Sequence, residues 1–249
     1  MSAYEALAGS YDELTYDIPY EKIADYFAAV LRRYGVQARS VLDLACGTGS
    51  LAVLLAQRGL RVLGVDCSEE MLTQAGEKSM QMENPPFWIC QKMQRLRLAE
   101  PVDAAICCLD SINYLTNPKD CRETFRRVYR SLSDGGVFLF DINTPYKLMG
   151  LDGQVFLDET EDTYCVWRAS FDRRRNLCRY GMDLFQLDGA RWVRSAEEHD
   201  EYAYTPDELE QYLREAGFTD IRRFGDRTFR RPKDDALRIY FAARKKEQP

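Results

Sequence analysis

The 249-residue sequence is poor in the features that mark several common classes of protein. It has one histidine, and its eight cysteines form no C-x-x-C pair, which argues against a Cys/His zinc site and a disulfide framework. No apolar run approaches the roughly 18–20 residues of a membrane span, and the N-terminus has no secretory apolar core. The net charge of −6 gives no general attraction to DNA, RNA or anionic lipid. We therefore expect a reduced, cytoplasmic protein without a metal.

Helical and strand patterns alternate from about residue 20 to residue 145, which is typical of a parallel sheet with helices on both faces. From about residue 154 to residue 204, three stretches alternate apolar and polar residues with a period of about two, which predicts three strands; Asp188-Gly189, between the last two, indicates a type I′ hairpin. We predict an α/β fold with a Rossmann-like, doubly wound sheet and an antiparallel β-ribbon inserted after the fifth strand. Because the chain has no repeats and no Gly/Pro/Ser-rich linker, residues 1–249 are predicted to form one domain. Its two special parts are an N-terminal helical lid at 1–36 and a ribbon at 147–204 that covers the active site.

The sequence DLACGTGSL at 43–51 follows the first predicted strand and precedes a helix. Such a turn usually approaches a nucleotide, but the third glycine of a dinucleotide-binding G-x-G-x-x-G turn is absent. Asp43 would oppose a phosphate and would suit a ligand with an ammonium group. Asp66 ends the second predicted strand, where an acidic side chain can accept both hydroxyls of a ribose. A ribose without phosphate, next to an amino acid, describes S-adenosylmethionine; the alternative for the glycines is a turn that only packs helix on strand.

The residues from Val41 to Leu72 resemble the opening motifs of class I S-adenosylmethionine-dependent methyltransferases. The similarity continues through LDSINYL, LSDGGVFLFDINTPYKL and EEHDEYAYT, and is greatest to a bacterial group of small-molecule type. The resemblance implies a seven-stranded sheet whose last strand is antiparallel, with S-adenosyl-L-methionine as cofactor. It also implies cofactor-binding roles for Asp43, Ala45, Gly47 and Gly49 at the methionine end, Asp66 at the ribose, Cys67 and Met71 at the adenine, Gln91, Met93 and Leu109 near them, and Tyr4 and Tyr11 as a cover.

One position departs from the family's pattern. After the third strand, these proteins often carry an acidic residue that accepts a hydrogen bond from the adenine amino group. This chain has Lys92 there, and lysine can only donate. Gln91 or a backbone carbonyl could substitute for the acidic residue.

Two other motifs suggest nucleic acid. NPPF at 84–87 imitates the signature of amino-group DNA methyltransferases, but it precedes the third strand, whereas that signature must follow the fourth. We therefore exclude DNA. The basic stretches FDRRRNLCR and IRRFGDRTFRRPK could contact phosphate, yet on an acidic chain they are more typical of exposed edges and loops. RNA remains an alternative substrate, and an anionic small molecule another.

Candidate acceptor-side residues follow the fourth and fifth strands and occupy the ribbon. Asp110, Asn113 and Asn143 are candidate substrate contacts, although Asp110 could simply cap a helix. Tyr114 and His199 are the candidate catalytic residues. A period of two places Glu197, His199 and Glu201 on one face of the ribbon, where the histidine suits either a structural ion pair or a proton acceptor.

The sequence thus predicts a methyltransferase that acts on an N or O atom of a small molecule, without a nucleic acid or membrane partner. Methyl transfer needs proximity, alignment and sometimes a base, which agrees with the absence of a covalent-nucleophile motif. The alternatives are a non-catalytic protein that binds S-adenosylmethionine or another partner, and an NAD-type oxidoreductase on a similar sheet.

Overall fold

A computed structural model describes residues 11–247 of the chain. Its helices are α1 (Tyr11–Leu14), α2 (Tyr20–Arg33), α3 (Ser50–Gln57), α4 (Glu69–Ser79), α5 (Pro118–Ser131), α6 (Pro145–Gly150) and α7 (Pro206–Ala216), with 3₁₀ turns at Met93–Arg95 and Ser111–Tyr114. Its strands are β1 (Ser40–Leu44), β2 (Arg61–Asp66), β3 (Phe87–Cys90), β4 (Val102–Cys107), β5 (Leu132–Asn143), β6 (Val155–Glu159), β7 (Thr163–Asp172), β8 (Leu177–Asp188), β9 (Arg191–Tyr202), β10 (Phe218–Gly225) and β11 (Arg238–Lys245).

The main sheet has seven strands in the order β10-β11-β5-β4-β1-β2-β3. Strands β1 to β5 are parallel, and β11 runs antiparallel to both β5 and β10. The order reverses beside β1, so the carboxyl ends of β1 and β4 border a crevice in which ligands of such sheets bind. The predicted Rossmann-like fold with an antiparallel last strand is confirmed.

Helices cover both faces of this sheet. One buried apolar cluster joins α5 and α7 to the sheet through residues such as Phe125 and Leu213, and another joins α2 and α3 through Phe27 and Leu55. The central strands β1, β4 and β5 are buried on both faces, which explains why they read as nearly continuous apolar runs in the sequence. Across residues 11–247 no helix is both long and apolar enough to cross a bilayer.

Local signals set the helix boundaries near the site. The hydroxyl of Ser68 accepts the N–H of Met71 at 3.1 Å and thereby caps the N-terminus of α4. At α7, Thr205 and Glu208 form a reciprocal capping box, and Gly217 ends the helix with a φ of 106°.

The inserted sheet is larger than the sequence indicates. It has four antiparallel strands in the order β6-β7-β8-β9, whereas the alternating pattern predicts only the last three. All five residues of β6 are exposed, so the strand carries no inward-facing apolar pattern that could reveal it.

The β8–β9 hairpin forms as predicted, but the prediction of a type I′ turn was wrong. Asp188 pairs with Arg191, so the two central residues are Gly189 and Ala190. Gly189 has a φ of 60°, and Ala190 is not among the described residues with positive φ. A positive φ at the first central position alone fits a type II′ turn rather than type I′.

Candidate active site

A pocket lies at the carboxyl ends of β1, β2 and β4. Ten of the predicted site residues line it: Tyr11, Asp43, Ala45, Gly47, Asp66, Cys67, Met71, Met93, Leu109 and Tyr114. Six others do not line it: Gly49, Gln91, Asp110, Asn113, Asn143 and His199. Sequence reasoning gave no pocket role to Tyr20, Ile23, Cys46, Thr48, Leu51 and Cys108, which also line it.

The glycine turn after β1 curves around the pocket with an unusual backbone. Ala45, Gly47 and Gly49 all have positive φ, at 58°, 54° and 75°. At Gly49 an added Cβ would lie 2.5 Å from the ring of Trp88, which means that no larger residue fits there. Gly49 therefore serves the packing of α3 and β3, while Ala45 and Gly47 present backbone to the pocket.

Asp43 places a buried carboxylate in the pocket wall. It is 2% exposed, and no hydrogen-bond partner for its Oδ2 occurs among the residues that the structure describes. Burial raises the pKa of Asp43 to about 7, the nearby Asp66 adds to the rise, and the N–H of Ala52 opposes it. A buried acceptor without a donor is costly, so this site fits a ligand that carries an ammonium group.

Asp66 connects the two loops that border the pocket. Its Oδ2 accepts the N–H of Gly47 at 2.9 Å, and its Oδ1 accepts the N–H of Ser68 at 3.0 Å. Each carboxylate oxygen has a second lone pair, so Asp66 can still accept the two hydroxyls of a ribose. Asp43 and Asp66 together fit the two polar parts of S-adenosylmethionine.

The side of the pocket beyond Asp66 is apolar. Cys67, Met71 and Met93 line it. The amide group of Gln91 instead forms two hydrogen bonds with the backbone of Arg97, at 2.9 and 3.2 Å. Lys92 is exposed. Neither Gln91 nor Lys92 lines the pocket.

The N-terminal segment lies against the glycine turn. Asp12 accepts a hydrogen bond from the hydroxyl of Thr48 at 2.7 Å and forms an ion pair with Lys78 at 2.6 Å. Tyr11 and Tyr20 thereby reach the pocket. Residues 1–10 of the predicted lid, including Tyr4, lie outside the described residues.

The turn after β4 forms the opposite wall of the pocket. Leu109 and Asp110 have φ values of 59° and 54°, although neither is glycine. Such strain clusters at ligand sites and costs about 1–3 kcal/mol per residue. Leu109, Ser111 and Tyr114 face the pocket, whereas the carboxylate of Asp110 turns away and pairs with Arg238 at 2.6 Å.

Asn113 and Asn143 are held within the protein. Asn113 is fully buried, and its amide exchanges hydrogen bonds with the backbone of Asn143 and donates to the carbonyl of Tyr202 at 3.0 Å. Asn143 donates to Glu201 at 2.9 Å. Burial raises the pKa of Glu201 well above that of an ordinary carboxylic acid, and Asp110 adds to the rise. These amides fasten the inserted sheet to the main sheet.

His199 lies behind Tyr114 on the inner face of the inserted sheet. Its ring centroid is 6.3 Å from that of Tyr114 and 6.1 Å from that of Trp167, and its Nε2 is 3.2 Å from Glu197. The predicted shared face of Glu197, His199 and Glu201 is borne out by their inward positions. The side chain of His199 is fully buried, one layer away from the cofactor pocket.

Comparison with known proteins gives consistent matches. The model of a methyltransferase domain family matches residues 41–136. A Bacillus subtilis (strain 168) protein named as a methyltransferase, YqeM, is 32% identical over 244 residues, which cover 97% of each chain. A glycine/sarcosine N-methyltransferase of Aphanothece halophytica is 27% identical over 207 residues, covering 81% of this chain and 74% of its own. The crystal structure of an S-adenosylmethionine-dependent methyltransferase from Clostridium acetobutylicum matches with a TM-score of 0.88 and 30% identity, covering 98% of this chain and all of that one.

Proposed function

Since the chain belongs to the S-adenosylmethionine-dependent methyltransferases, we propose that it transfers a methyl group to an N or O atom of a small molecule. The observation that supports this most strongly is the buried Asp43 carboxylate, which has an unsatisfied oxygen at the pocket. Similarity to glycine/sarcosine N-methyltransferase supports a small acceptor and makes amines the first class to test.

We assign the cofactor to the pocket by its polar groups. Asp43 would bind the ammonium group, and Asp66 would accept hydrogen bonds from the ribose hydroxyls. The backbone at Ala45 and Gly47 would lie against the methionine part of the cofactor. Met71 and Met93 would contact the adenine. The cofactor, when bound, supplies an electrophilic methyl group on its sulfonium.

The chain's own contribution to the reaction is alignment and exclusion of water. The N-terminal segment and the inserted sheet meet over the pocket, where Tyr11 packs with Trp167, Met182 and Leu184. We propose that the acceptor enters beside Tyr114 and that this cover holds it in line with the methyl group, which is the main requirement of the displacement. His199 and Tyr114 are the proposed groups that take a proton from an acceptor that arrives protonated.

The acceptor class is tested with methyl-labelled S-adenosylmethionine. We expect label to appear on one or more members of a panel of small amines and hydroxy compounds that includes glycine and sarcosine, and on neither RNA nor DNA. Label on RNA would overturn the small-molecule proposal. Cofactor binding without transfer to any acceptor would favour a non-catalytic binding protein, and binding of NAD instead would overturn the assignment of the pocket.

The ribose assignment predicts that Asp66→Ala weakens S-adenosylmethionine binding by about 1.5–3 kcal/mol, the scale of hydrogen bonds to a charged group. Thermal stability should also fall, because Gly47 and Ser68 lose the acceptor of their N–H groups. Calorimetry at a temperature where the variant is folded separates the two effects. Unchanged cofactor affinity would refute the ribose assignment. Asp103→Ala is the control, because Asp103 also accepts two backbone N–H groups, those of Arg39 and Ser40, but does not line the pocket.

A further inference from the structure

The strained turn after β4 is held by a carboxylate of the neighbouring strand. Asp141, fully buried on β5, accepts the N–H of Leu109 at 2.8 Å through Oδ1. Its Oδ2 accepts the N–H of Asp110 at 3.2 Å. Both donors belong to residues with a left-handed backbone, so Asp141 stabilises the conformation that directs Leu109 into the pocket.

Asp141 is itself held by an arginine of the last strand. The guanidinium of Arg238, on β11, donates to Oδ2 of Asp141 and, at 2.6 Å, to Oδ1 of Asp110. It also donates to Oδ1 of Asn143 at 3.1 Å, the residue opposite it in the antiparallel pairing of β11 with β5. The side chain of Arg238 is 19% exposed, so these bonds form in a largely dehydrated environment.

Removing this guanidinium would leave the carboxylates of Asp141 and Asp110 close together without the cation that bridges them. Burial raises the pKa of Asp141, and Arg238 opposes that rise by favouring the charged form. A protonated or displaced Asp141 would hold the two N–H groups less firmly than a charged one does. Because arginine presents a planar fork of donors, it can bridge both carboxylates, whereas lysine offers a single nitrogen.

We infer that Arg238 is a positioning residue for methyl transfer: through Asp141 it fixes the turn at Leu109 and Asp110 that forms the acceptor-side wall of the cofactor pocket. Arg238 does not itself line that pocket. The inference rests on the proposed function of the pocket, but the hydrogen bonds from the turn to Asp141 can be tested without any ligand.

The test combines Arg238→Ala with amide hydrogen exchange and binding of S-adenosylhomocysteine, which needs no acceptor. We expect exchange at Leu109 and Asp110 to accelerate at least tenfold more than at Ile106, within β4. We also expect the dissociation constant of S-adenosylhomocysteine to rise about tenfold. Added guanidinium ion should restore part of both properties, because it fits the space that the side chain leaves.

Arg244→Ala is the matched control, since Arg244 lies on the same strand and donates to the backbone carbonyls of Tyr34 and Gly135. It should lose stability while keeping cofactor affinity within twofold. Equal acceleration at Leu109 and Ile106, or equal loss of affinity in the two variants, would overturn the inference.

If Arg238→Ala does not fold, Arg238→Lys replaces it, and parental exchange at Leu109 in that variant would also overturn the inference. Failure of the parent to bind S-adenosylhomocysteine would instead refute the pocket assignment and leave the exchange result valid.

Discussion

Asp43→Asn should abolish most cofactor binding and yet stabilise the free protein above pH 7. In the parent, the pKa of about 7 means that Asp43 becomes charged in the fold only near neutral pH, whereas an unfolded chain ionises it near 3.9. The native state therefore binds more protons between about pH 4 and pH 7, and stability falls as pH rises through that range. The variant carries no such charge and should gain up to about 4 kcal/mol at pH 8.

The Asp43→Asn variant should gain stability but lose cofactor affinity. Loss of the partner of a buried ammonium group is expected to raise the dissociation constant of S-adenosylmethionine about 100-fold or more, from the scale of broken buried ion pairs. In the parent, affinity should fall as pH decreases below about 7, because protonated Asp43 cannot pair with the ammonium. The variant should lack this pH dependence. Calorimetry and thermal unfolding across pH 5–9 measure both effects.

Asp103→Asn is the control for Asp43. Asp103 is partly buried at the start of β4, and although burial tends to raise its pKa, hydrogen bonds from the N–H groups of Arg39 and Ser40 hold it below the usual value. The ionised Asp103 stabilises the fold at pH values above the pKa that this group has in the unfolded chain. Asp103→Asn should therefore lose stability and keep its cofactor affinity. Parental cofactor affinity in Asp43→Asn would show that the ammonium group does not bind there.

His199→Asn is expected to lower turnover of the acceptor about 10²-fold or more, if the imidazole removes the acceptor's proton. Cofactor affinity should stay within about twofold, under roughly 0.4 kcal/mol, because His199 is separated from the cofactor pocket by Tyr114. Rates measured at saturating cofactor, with binding measured separately, distinguish the two effects. Acceptors that are already deprotonated at the assay pH should be much less affected.

Glu198→Gln is the matched control for His199, because Glu198 is exposed on the opposite face of β9. It should retain parental turnover. Normal turnover in His199→Asn would place His199 among the structural residues, in keeping with its contact with Glu197 and its full burial. Tyr114, which lines the pocket, would then be the next proton acceptor to test.

Sequence alone predicted much of the pocket lining because many of the residues concerned lie on consecutive elements. Asp43, Asp66 and Met71 follow one another through β1, β2 and the start of α4, and short right-handed crossovers bring the carboxyl ends of neighbouring parallel strands together. The spacing of apolar residues and glycines fixes such a unit locally. Ten of the predicted site residues therefore line the pocket.

The surroundings of Tyr114 depended on contacts between distant parts of the chain. His199 faces Tyr114 only because β9 returns to the main sheet, where Tyr202 accepts a hydrogen bond from Asn113. Tyr20 and Ile23 reach the pocket from a helix whose apolar spacing indicates only a buried face.

Arg238 shows the limit of sequence reasoning. Ninety-seven residues separate it from Asp141, and only the register of β11 with β5 places its guanidinium between two carboxylates. The sequence determined which chemical groups stand at the ends of the parallel strands, because apolar spacing and glycines mark each strand and the turn that follows it. The tertiary structure decided which of those groups line the pocket and which form hydrogen bonds within the protein. Burial and strand register decide this, and both depend on how the whole chain packs.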